Sequence, residues 1–131
     1  MTAILPPFRD EEAEVLDIIE RYFDSVGTTI YADTETPEGD AIQRKLPFIR
    51  IGRTGGAPDN RWDDQPVIDV DVLARTRGEA KRIGQAIEQL FMSCPHPIDF
   101  CNVLMSPQKV EWQEGSPIRR MYASYHLVMR R

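Results

Sequence analysis

Asp69 and Asp71 stand two residues apart in PVIDVDVLARTRGEA, a spacing that puts both carboxylates on one face of an extended strand. Carboxylates so placed can share a divalent cation. Mg²⁺ held there beside a phosphate group would make the protein a metal-dependent phosphodiesterase. Such a centre recruits further oxygen ligands, and few stand near: Glu79 is expected to cap a helix, which leaves Asp63 and Asp64 one loop away. The competing reading is structural, with the two acids on the wet face of an antiparallel strand and Ile68, Val70 and Val72 turned inward.

Three other groupings have residue types that could carry chemistry. IGRTGG (51–56) follows a strand and resembles a phosphate cradle, but a Walker loop needs Gly-Lys-Ser/Thr opening a helix, and here Ala-Pro-Asp-Asn follows. CPHPIDFC offers Cys94, His96 and Cys101, with His126 as a remote fourth ligand, yet it lacks the paired Cys-x₂₋₄-Cys knuckles of structural zinc sites. Neither cysteine has a setting that would lower its pKa, so both read as packing thiols. Trp62 sits in the polar loop NRWDDQP, where no strand or helix period assigns it to a core. Trp and Arg are enriched at interface hot spots, so Arg50, Arg53, Arg61, Trp62, Asp63 and Asp64 form a candidate subunit or partner interface, with Asp69 and Asp71 as possible interface or channel acids.

The elements that must position these residues follow from periodicity. Asp10 is expected to cap a first helix whose stripe is Val15, Ile18, Ile19, Tyr22 and Phe23, ending at Gly27. TTIYAD (28–33), FIRIGR (48–53) and the segment from Val67 to Leu73 read as strands, the last two separated by a long flexible loop at about 54–66. Thr76 and Glu79 have the spacing of a capping box at the start of a second helix, with Ala80, Ile83, Ile87, Leu90 and Phe91 as its apolar stripe. Three further strands are predicted at 101–105, 109–113 and 118–129. The expected order is α-β-β-β-α-β-β-β: one α+β domain over residues 1–131, with a mainly antiparallel sheet packed against two amphipathic helices.

Composition narrows the function classes. The chain of 131 residues is 41% hydrophobic and 28% charged, and no apolar run is long enough to span a membrane. MTAILPPFRDEE lacks the pattern of a secretory signal, which leads us to expect a cytoplasmic protein. The net charge of -5 is uneven: residues 1–50 hold 11 acids and 5 bases, whereas residues 101–131 hold 2 acids and 5 bases. That distribution argues against a general nucleic-acid binder and permits head-to-tail attraction between copies.

The sequence of features also resembles a family. An acidic N-terminal helix, RIGRTGG leading into a Gly/Pro/Trp loop, the segment VLARTRGEAKRIGQAIEQLF and the closing hairpin KVEWQEGSPIRRMYASYHLVMRR look like the tail terminator proteins of long-tailed bacteriophages. They are similar, too, to the neighbouring head-to-tail joining and tail completion proteins. The resemblance implies a non-enzymatic virion protein without cofactor or metal, assembled in the host cytoplasm as a homo-oligomeric, hexameric ring. That ring would cap the head-proximal end of the tail tube, end tail polymerisation, and meet the tail tube protein on one side and the head-to-tail connector on the other. Genomic DNA would pass through it without sequence-specific binding, and no membrane would be involved. A head-closure adaptor is the alternative within the same class.

Overall fold

The computed structural model describes residues 7–8, 10–58 and 63–130. Its elements are α1 (Glu11–Ser25), β1 (Tyr31–Asp33), α2 (Ala41–Arg44), β2 (Phe48–Pro58), β3 (Asp63–Ala74), α3 (Arg77–Met92), β4 (Ile98–Val110) and β5 (Arg119–Arg130). The five strands form one sheet in the order β1-β2-β3-β5-β4. β1 runs parallel to β2, and every other neighbour pair is antiparallel. The expected α+β class is what the chain adopts.

Both long helices begin and end for local reasons. Asp10 Oδ1 accepts the Ala13 N–H at 3.2 Å, and the acids of the first turn lie where the helix dipole favours them. At the other end Gly27 takes φ +73°, with Thr28 N–H donating to Phe23 O and Gly27 N–H to Asp24 O. This is a Schellman closure, and it satisfies carbonyls that the end of a helix leaves without partners. Thr76 Oγ1 accepts the Glu79 N–H at 3.1 Å and starts α3. The reciprocal half of the predicted capping box is not made: Glu79 Oε1 is buried and has no hydrogen-bond partner among the described residues.

The helices cover one face of the sheet, α1 over β1 and β2, α3 over β3, β5 and β4. Ile49 and Ile51, then Ile68, Val70 and Val72, then Met121 to Met129 at every second residue, point into that layer and are almost fully buried. Alternation along each strand produces this division. Tyr125 and Phe91 meet edge to face, with centroids 5.2 Å apart, at the centre of the α3 contact. The other face has no long helix. At one end it carries a smaller cluster of Ile42, Leu46, Phe48, Leu73 and Ile118, to which α2 contributes Ile42.

Several boundaries differ from the sequence expectation. The segment expected as a flexible loop at about 54–66 is mostly paired: β2 continues to Pro58, β3 starts at Asp63, and Gly55, Gly56, Ala57 and Pro58 lie opposite Val67, Pro66, Gln65 and Asp64. A bulge between Arg53 and Gly55 absorbs one residue and lets the ladder continue. Gly56 makes the close approach possible, with φ +85° and a backbone so near the Gln65 carbonyl that a Cβ would collide with it. The two strands expected at 101–105 and 109–113 are one strand, β4, broken by three register shifts. The strand expected at 28–33 is shorter, and α2 is an addition within the following loop.

Two substitutions test these local causes. Thr76→Ala removes one cap hydrogen bond and is expected to cost about 1 kcal/mol. Gly56→Ala should cost more, because both the positive φ and the Gln65 carbonyl oppose it. Urea denaturation of the two variants checks that order, and a neutral Gly56→Ala would mean that the ladder does not persist beyond the bulge.

Candidate functional site

β3 is the central strand, and its helix-free face carries the two acids singled out from the sequence. Asp71 is 4% exposed. In register it lies between Arg50 on β2 and Tyr122 on β5. Arg50 Nη1 donates to its Oδ2 at 3.1 Å, and Arg120 Nε donates to its Oδ1 at 2.7 Å. Both carboxylate oxygens are therefore held by guanidinium groups, the strongest hydrogen-bond donors a protein offers them. The Arg120 guanidinium also lies 5.8 Å from the centre of the Tyr122 ring. Asp69 is half-buried, and its Oδ1 accepts from Ser124 Oγ at 3.0 Å and Thr54 Oγ1 at 3.2 Å. Burial, and secondarily Asp69, push the Tyr122 hydroxyl above its ordinary pKa, so it remains a phenol.

Arg53 and Asp64 meet on the opposite face. The guanidinium grips the carboxylate with two bonds, 2.7 Å to Oδ2 and 3.0 Å to Oδ1, and reaches Glu11 at 3.2 Å. Its own backbone N–H donates to Glu12 Oε2 at 3.0 Å. Asp64, then Glu11, raise the Arg53 pKa further above its already high value, so this cation is permanent. The arrangement fastens the first turn of α1 to both strands of the hairpin. Asp63 lies opposite Arg130 in the β3–β5 ladder and is half-buried. Arg61 and Trp62 lie outside the described residues.

These contacts change how the acids read chemically. A carboxylate clamped by two cations is a poor ligand for a third, and among the described residues no group of three or more His, Cys, Asp or Glu side chains could hold a metal ion. Cys94 and Cys101 are both free, half-buried thiols. Burial, followed by the nearby Cys94 and Glu88, pushes the Cys101 thiol up to about 11.

A different cluster did not stand out in the sequence. Beside the β4–β5 turn lies a groove of about 500 Å³ whose wall includes Arg77, Lys109, Arg119 and Trp112. Apart from Arg77 and Ala80 at the start of α3, its lining comes from the segment 109–121, where the bases are spread among acids and apolar residues and form no motif. The only hint was the excess of bases after residue 100. The chain matches no protein-family model and no curated protein sequence.

Removing Asp71 tests its role. Asp71→Ala leaves two guanidiniums facing each other without their carboxylate and is expected to cost about 3 kcal/mol, measured by denaturation. Millimolar Mg²⁺ should leave the melting temperature of the native protein unchanged. For Cys101 the folded state holds the thiol proton more tightly than the unfolded chain does. Its contribution to stability is therefore complete below the ordinary thiol range and lost as pH rises through about 11. Ellman's reagent at pH 8 should label Cys101 far more slowly in the native protein than in denaturant.

Proposed function

We propose that this protein is a structural ring subunit of the phage tail-terminator kind, built for self-association rather than turnover. The observation that carries the reading is the open edge of the sheet at β4. Phe100, Leu104 and Met105 on that strand are 58%, 52% and 39% exposed, while the inward residues of the same sheet are almost fully buried. An edge strand that displays large apolar side chains is a contact waiting for a partner, since water is an unfavourable neighbour for them.

The charge distribution supports the same reading. An excess of acids over bases suits a subunit whose ring would let DNA pass without retaining it. In this role the copies close a ring on the head-proximal end of the tail tube, with the tail tube protein on one side and the head-to-tail connector on the other. DNA passes through without sequence readout.

Electron microscopy and light scattering test the proposal, with the purified protein alone and mixed with tail tubes. Rings, free or on tube ends, are the expected result, and Leu104→Glu should weaken them while leaving the fold intact. A protein that stays monomeric at high concentration and also fails to decorate tube ends would sink the reading.

A further inference from the structure

The basic groove is a charged feature that the contacts above leave unused. Arg119 Nη1 donates, among the described residues, to the Ser116 carbonyl at 3.3 Å. Among the described residues, no carboxylate lies within ion-pair distance of Arg77, Lys109 or Arg119. Arg120, also in the wall, is committed to Asp71, and among the described residues Glu111 is the only acid lining the groove. Three exposed, unneutralised cations around one hollow reverse the sign of a chain whose net charge is -5. Ala80, Ile118 and Met121 add an apolar floor. A hollow of this size, cationic at the rim and apolar beneath, suits an acidic stretch of polypeptide better than a bare ion.

The opposite edge of the sheet displays such a stretch. Residues 33–40 read DTETPEGD, and Asp33, Glu35, Glu38 and Asp40 are all exposed, with no base among the eight residues. The nearest cation in the hollow beside them is Lys45.

Register relates the two sites. Tyr31 pairs with Phe48, Phe48 with Leu73, Leu73 with Arg120, and Arg120 with Val110. This single row crosses the whole sheet, beginning two residues before the acidic loop and ending in the wall of the basic groove. Tyr31, just before the acidic loop, and Val110, in the groove wall, therefore share one register row at opposite edges of the sheet. Contact between unlike patches of identical copies is head-to-tail, the kind of contact that generates a ring when the rotation between copies closes.

We propose that the acidic loop 33–40 of one copy seats in the groove of Arg77, Lys109 and Arg119 on the next copy, and that this pairing sets the lateral contact of the assembly. The proposal rests on the ring reading above and supplies its partner surfaces. Opposite charges would steer the approach, and the apolar floor and the open β4 edge beside it would hold the docked copy.

Charge reversal at exposed positions tests it. Arg77→Glu with Arg119→Glu, and separately Glu35→Lys with Glu38→Lys, should each raise the concentration needed for assembly by about tenfold or more. The chain carrying all four changes should assemble again, because each reversed groove meets a reversed loop. Circular dichroism and melting temperature confirm that each variant is folded. Wild-type rings that the groove pair leaves unaffected would overturn this contact while the ring reading stands. Loss of assembly in both pairs without recovery in the fourfold variant would likewise overturn the pairing. A wild-type chain that never assembles, even on tail tubes, would overturn both.

Discussion

A carboxylate withdrawn from water at the centre of a sheet has to be neutralised where it stands, and Asp71 is in that position. Its two oxygens are taken by Arg50 from β2 and Arg120 from β5, so the three central strands are laced together at one level on the face that no long helix covers. The net worth of such a lattice is small, because three charged groups give up hydration to form it. Its larger effect is on register. A slip of one residue in β2 would turn Arg50 toward the helices and leave Asp71 with a single partner, a much less favourable arrangement. The network thus fixes which residues face each other across β2, β3 and β5.

Arg53 performs a related task on the other side. It lies three positions after Arg50, an odd spacing on a strand, and so faces the helices. There it binds Asp64 and the acids that open α1. Two arginines on one strand therefore secure the two faces of the sheet by separate means. The bulge that follows Arg53 allows the second arginine to hold the hairpin while the ladder continues toward its tip. The apolar layer between the sheet and the helices supplies most of the cohesion, and the arginines decide how it is aligned.

The parts legible in the sequence were those with local causes. Asp10, Gly27 and Thr76 mark helix ends through bonds that span only a few residues, and the 3.6 and 2.0 periods pick out the residues between sheet and helices, although the face expected to be wet also buries Phe48, Asp71 and Leu73. Strand lengths were not legible, because glycines and prolines in TGGAP and SPQ read as turn residues. In the fold they are tolerated, Gly56 by close approach to the neighbouring strand and Pro107 by packing against Gly84 on the unpaired edge. α2 is too short to have a period. The surroundings of Asp71 were hidden for another reason, since its partners lie 21 and 49 positions away in the chain. That separation is why a pair resembling a cation site from spacing alone became a buried ion network; the groove combines the segment 109–121 with Arg77 and Ala80 of α3, about thirty positions earlier.

β4 presents a final consequence through its irregularity. Its register shifts between Ile98 and Phe100, between Val103 and Met105, and between Met105 and Gln108, and Pro107 lacks an N–H. A straight strand of thirteen residues with apolar side chains would be a template for endless cross-strand stacking. Interrupted this way, the edge can complement a shaped surface but offers no extended chain a continuous set of hydrogen bonds. The fold thereby combines an exposed apolar edge with a backbone that gives no regular template for adding strand after strand.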